Sequence, residues 1–109
     1  MSDIDPNRAV DYILASAPKF AKAKAERVYL EEYRKSLKAI LMRKSIEKSL
    51  GAQECEAYAH KDYQDLLLGL KDAIEIEEKF RWDLIGAQAR IEIWRSQEAS
   101  NRSIDRILK

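Results

Sequence analysis

Ten residues, Leu66, Leu70, Ala73, Glu77, Phe80, Leu84, Ala87, Ile91, Trp94 and Glu98, follow one another at alternating steps of four and three. A chain that keeps this spacing over more than four heptads places one nearly continuous apolar line along an α-helix. A helix over 62–107 would be about 68 Å long at 1.5 Å per residue. Such a rod is stable in water only where its line is covered. The heptad line therefore predicts a second long helix, and so a helical hairpin or an oligomer. Glu77 and Glu98 interrupt the line and are positioned to fix register or to weaken it locally. Gly69 and Gly86 each cost about 1 kcal/mol relative to alanine in a helix.

The other long helix is predicted over 18–49. It holds no glycine, is rich in Ala, Lys, Glu and Leu, and carries Leu30, Tyr33, Leu37 and Ile40 at 3-4-3 spacing, with Leu41 beside them. Before it, Asp5-Pro6 reads as a helix start, and Ser16-Ala17-Pro18 reads as a break, giving a short first helix over 6–15. Leu50-Gly51 reads as a stop, 52–59 as a short helical connector, and Asp62 as the cap of the long last helix. The expected architecture is all-α: a single domain over 1–109 built as a long antiparallel, coiled-coil-like hairpin, with a short N-terminal helix and a short helical connector. The last helix has a second apolar set, Ile74, Trp82, Ile85, Ala89 and Ile93. One hairpin partner does not easily cover two faces, so this set is a candidate protein interface, covered by the first helix or by a second copy in a homo-oligomer.

Composition narrows the class. The chain has 109 residues, three glycines, two prolines and 36% charged residues, which argues against an all-β fold. Hydrophobic residues at 46% argue against a disordered polyampholyte. No apolar run approaches the roughly 18 residues of a membrane span, Met1-Ser2-Asp3-Ile4-Asp5-Pro6 lacks signal-peptide character, and one cysteine, Cys55, suits a reducing compartment. A cytoplasmic protein without a membrane partner is expected.

The net charge of +1 conceals segregation. Lys19 to Lys48 holds ten basic and four acidic residues (+6), Glu54 to Glu78 two and eight (−6), and Lys79 to Lys109 seven and four (+3). Opposite charges flanking a seam favour antiparallel pairing of the basic helix with the acidic start of the last helix. A competing reading makes Lys19, Lys22, Lys24, Arg27, Arg34, Lys35 and Lys38 a nucleic-acid patch, with Arg90, Arg95, Arg102 and Arg106 as further phosphate contacts. Trp94 is available for base stacking but lies on the seam, which assigns it to the core. Trp82 is the better interface anchor.

Catalytic chemistry finds little support. Glu56 and His60 are four apart, but zinc needs three or four ligands. Glu75 and Glu78 have the spacing that holds Mg²⁺ in helical nucleotide pyrophosphohydrolases, yet no second acidic motif accompanies them. The three glycines are isolated, so there is no phosphate loop. One histidine and one cysteine leave few routes to acid–base or covalent catalysis. A non-enzyme without metal or other cofactor is expected.

Three stretches, Lys24 to Ala39 (KAERVYLEEYRKSLKA), Glu56 to Gln64 (EAYAHKDYQ) and Ala87 to Gln97 (AQARIEIWRSQ), make the chain from Pro18 onward resemble a family of small phage and prophage early-region helical proteins, often encoded near recombination genes. The resemblance implies a bacterial host and a setting. The family has no established activity, so it carries over no functional residue. The expected function is a non-catalytic interaction protein that binds a recombination, replication or host-defence factor. The alternatives are a DNA-binding accessory protein of recombination or replication and a phage assembly or scaffold protein.

Overall fold

The computed structural model describes residues 3–108. They form three helices, α1 (Pro6–Lys44), α2 (Leu50–Ala59) and α3 (Lys61–Leu108), in a hairpin of two long helices joined by a short helical connector. α1 begins where Asp5-Pro6 places it. Asp5 Oδ1 accepts hydrogen bonds from the backbone N–H groups of Asn7 (2.9 Å) and Arg8 (3.3 Å), two donors the first turn leaves without helical partners.

The heptad line of α3 is its covered face. Leu70, Ala73, Glu77 and Ala87 are buried, and Leu66, Phe80, Leu84, Ile91, Trp94 and Glu98 are partly buried. α1 carries a matching line at the same 4-3 steps: Ala9, Ile13, Ser16, Phe20, Ala23, Arg27, Leu30, Arg34, Leu37 and Leu41, all buried or partly buried. This differs from the stripe the apolar residues suggest. Tyr33 and Ile40 are on the flank, 38% and 42% exposed, and their expected places in the seam belong to Arg34 and Leu41.

The predicted break at Ser16-Ala17-Pro18 does not form, and α1 runs through Pro18 as one helix of 39 residues. A proline within a helix removes one hydrogen bond and crowds the carbonyl four residues back. Here Pro18 and Leu14 are both exposed, Leu14 by 68%, so the unbonded Leu14 carbonyl lies on the wet side. On the opposite side, Ser16 is buried and Phe20 partly buried, so the packed line continues and outweighs the local penalty.

The second boundary also differs. α1 ends at Lys44, five residues before the expected 49, and α2 begins at Leu50, so Gly51 lies inside α2. A glycine stop works through a left-handed backbone, and no described glycine has positive φ. The seryl side chains shape this turn instead. Ser45 Oγ accepts from the Glu47 N–H (3.1 Å) and bonds the Glu56 carboxylate, while Ser49 Oγ caps α2 by accepting from the Ala52 N–H (3.1 Å). At the start of α3 the cap is His60 rather than Asp62. His60 Nδ1 accepts from the Asp62 N–H at 3.0 Å, and Asp62 falls in the first turn, where its charge suits the helix dipole.

The contacts group into two compact units. One comprises Ala21–Glu78, the other the first 20 residues with Lys79–Lys109. In Ala21–Glu78, α2 closes the end of the hairpin: Ala57 is 1% exposed and packs with Leu41 and Tyr63, flanked by Leu37, Met42 and Leu67. The Tyr58 and Tyr63 rings meet edge to face at 5.2 Å, and Lys38 Nζ lies 4.7 Å from the Tyr58 ring centre and 3.6 Å from Glu54. Farther along, Arg27 grips Glu77 with two hydrogen bonds, Nε to Oε2 (2.6 Å) and Nη2 to Oε1 (2.9 Å), and also reaches Glu31 at 3.0 Å. In the other unit, Ala9 and Ser16 of α1 and Ala87 of α3 are the buried positions. Small residues there are consistent with close approach of the two backbones.

Replacing Pro18 by alanine restores the missing hydrogen bond without touching the packed face. Pro18→Ala is expected to stabilise the protein by about 1–3 kcal/mol, read as a higher urea midpoint with unchanged m-value.

Candidate functional site: the outer face of α3

Two residues along a helix turn its direction by about 200°. Trp82, Ile85 and Ala89 each precede a seam residue, Leu84, Ala87 or Ile91, by two positions, so they occupy the opposite side of α3. The structure leaves this side open. Trp82 is 60% exposed, Ile85 38% and Ile93 49%, and Ala89 is also exposed. Helix α1 therefore does not cover this set. Ile74 is also exposed, but it stands eight residues before Trp82, about 80° round the helix, and belongs to the Ala21–Glu78 unit.

The line extends beyond the residues the sequence singled out. From Ile93 it continues through Ser96, Ser100, Ile104 and Ile107, all exposed, so the whole runs at steps of three, four, four, three, four, four and three. Eleven residues make about three full turns, so this spacing keeps a straight stripe where a heptad would drift. The two serines interrupt the apolar character of the line between Ile93 and Ile104. In the other direction the stripe ends at Glu78, four residues before Trp82. Where the side chains are small, the surface dips: Ile93, Ser96, Gln97 and Ser100 line a shallow depression of about 430 Å³, with mostly carbon atoms in its wall.

One flank of the stripe meets the start of α1. Ile4, Arg8 and Tyr12 with Trp82, Arg90 and Ile93 line an open groove of about 770 Å³. Asp83 lies at its edge. Lys79 Nζ donates to Asp83 Oδ2 at 2.9 Å, and the Tyr12 hydroxyl also favours the charged carboxylate. Lys79 above all, with a smaller contribution from Tyr12, holds the Asp83 carboxyl below its ordinary range against the opposing effect of burial. Arg81 stacks over the Trp82 ring, 5.0 Å from its centre.

The basic candidates do not form one patch. Arg27 is held in the seam by Glu77 and then Glu31, which keep its guanidinium above its ordinary range. Lys38 is partly buried and held by Tyr58 and Glu54, which raise its pKa in that order. Lys35 pairs with Glu32 at 3.4 Å and Arg95 with Glu92 at 2.9 Å. Arg34 is partly buried. Lys19, Lys22 and Lys24 are exposed, but Lys22 and Lys24 point to nearly opposite sides of α1. At the other end of the chain, Arg95, Arg102 and Arg106 share one side of α3 while Arg90 lies on another. Glu56 bonds Ser45 and His60 caps α3. Among the described residues no helix is long and apolar enough to cross a membrane.

Searches of protein-family profiles, of curated proteins and of solved structures find no match to the chain.

Because its folded pKa lies below the unfolded value of about 3.9, Asp83 contributes stability that is fully present above that value and is lost as pH falls through the lower folded one. Asp83→Asn is expected to lower Tm at pH 7, with the difference from the parent shrinking at pH 3. An equal Tm loss at both pH values would show that the ionised carboxylate is not what matters.

Proposed function

We propose that this chain is a non-catalytic helical interaction protein that works by binding a protein partner. The carrying observation is that part of the exposed large apolar surface is ordered along two helical lines. Scattered exposed apolar residues are ordinary, whereas contiguous ones mark interaction surfaces. One line is the outer face of α3. A second lies on α1, where Tyr29 and Tyr33 stack at 6.0 Å and 9° and Ile40 continues the same side. Tyrosine and tryptophan dominate protein-binding hot spots. The resemblance to phage and prophage early-region proteins supplies the setting, a bacterial cytoplasm, and the kind of partner, a recombination, replication or host-defence factor.

A DNA-binding role is the second reading, favoured by the row of Arg95, Arg102 and Arg106. It draws less support because Arg27, Lys35, Lys38 and Arg95 are engaged in ion pairs within the chain. DNA contact would appear as binding that weakens steeply with salt.

Affinity capture from host and phage-infected lysate tests the leading reading. The parent chain is expected to retain a reproducible protein partner, and Tyr29→Ala/Tyr33→Ala, helical by circular dichroism, to retain about tenfold less. Recovery of no protein other than the chain itself would sink the reading.

A further inference from the structure

We propose that the groove between the start of α1 and the middle of α3 binds a nucleoside phosphate, with the base against Trp82 and Tyr12 and the phosphate between Arg8 and Arg90. All its walls belong to one compact unit. Arg8 and Tyr12 are four residues apart on α1, and Trp82, Gly86 and Arg90 follow at steps of four on α3, so each set shares one side of its helix. The two helices run antiparallel, as arms of a hairpin. Tyr12 therefore falls at the Trp82 end, where it interacts with Asp83, and Arg8 falls toward Arg90. The groove thus has an aromatic end and a cationic end.

The charges narrow the ligand. Asp5 caps α1 and Asp83 pairs with Lys79 at 2.9 Å. Arg8 and Arg90 have no ion-pair partner among the described residues, which leaves two guanidinium groups against one further carboxylate, Asp3, in the lining. Two guanidinium groups on one groove repel each other, and an anion between them reverses that cost. A phosphate has oxygens enough to accept from both forks, whereas the two oxygens of a carboxylate are taken up by one. At the other end Trp82 is exposed, and Arg81 stacks over its ring at 5.0 Å. The indole is thereby held on one side, and its other side can take a base, whose stacking on aromatic rings is indifferent to base identity. Between the two ends lies Gly86. A Cβ there would meet nothing within 4 Å, so packing within the chain does not require glycine, and its bare backbone leaves the α3 wall recessed. The volume of about 770 Å³ lies within the range of small-ligand sites.

Tryptophan fluorescence of the full chain, titrated with thymidine diphosphate, with inorganic phosphate and with oligo(dT), tests the proposal. Saturable quenching by thymidine diphosphate with Kd below about 1 mM is expected, and inorganic phosphate should bind at least about tenfold more weakly. Tighter binding of oligo(dT) than of the diphosphate would make a nucleic-acid strand the source of the nucleotide, and the reverse order a free nucleotide. Either order supports the site provided the variants respond. Arg8→Gln and Arg90→Gln, exposed changes with helicity checked by circular dichroism, should each weaken binding about tenfold. Gly86→Leu fills the groove while removing a residue that disfavours the helix. It should raise Tm and still weaken binding about tenfold, a combination that general loss of structure does not produce. No binding of either nucleotide form at about 1 mM, phosphate bound as tightly as the diphosphate, or affinity unchanged in Gly86→Leu or in the arginine variants would each overturn the proposal.

Discussion

A guanidinium and a carboxylate meet at a seam position where a two-helix hairpin ordinarily places leucine. Arg27 reaches Glu77 through two hydrogen bonds, and the Glu77 side chain is only 9% exposed. Such a pair adds little stability compared with well-packed apolar residues, but it is costly to break one-sidedly, because the remaining charge loses its strongest partner across the seam. Its main effect is on alignment. An apolar seam alone tolerates slippage by a heptad, while a charged residue within it accepts few registers. Arg34 stands one heptad along α1, so pairing alone permits a slip toward it. That slip would carry Leu41 seven residues from its place beside Tyr63 and undo the cluster with Ala57. The ion pair and the α2 closure together leave one alignment of α1 and α3 over residues 21–78.

The same arrangement explains why so much apolar surface stays outside. Two helices bury one line each, and the most deeply buried hydrophobic positions are mainly alanines: Ala9, Ala23, Ala57, Ala73 and Ala87. Alanine lets the backbones approach but removes little apolar area from water per residue. The large side chains at Trp82, Ile85 and Ile93 therefore have no place inside the fold. An apolar line that the hairpin leaves uncovered is the basis of the functional proposal.

The seam of α3 was readable from residues because Leu, Phe, Ile and Trp mark most of its positions and the step never varies. The seam of α1 was only half readable. Arg27 and Arg34 occupy it, and the neighbouring Tyr33 and Ile40 drew the stripe one position aside. A buried charge is recognisable only with its partner, which lies 50 residues away. Pro18 misled for a different reason. Its cost is local, while the packing that outweighs it comes from α3, and sequence spacing does not show which side of a helix faces water. Gly51 has the character of a helix stop, yet Ser49, two residues earlier, carries the capping chemistry. On the outer face, Ser96 and Ser100 concealed an eleven-residue period that becomes evident once the exposed side of α3 is known.

The central claim is that Arg27 and Glu77 act as one unit in the seam. A double-mutant cycle in urea, with Arg27→Leu, Glu77→Leu and both together, tests it most directly. The account predicts that each single change lowers the unfolding midpoint and that the double variant recovers to near the parent or above it. Losses that simply add in the double variant would contradict it.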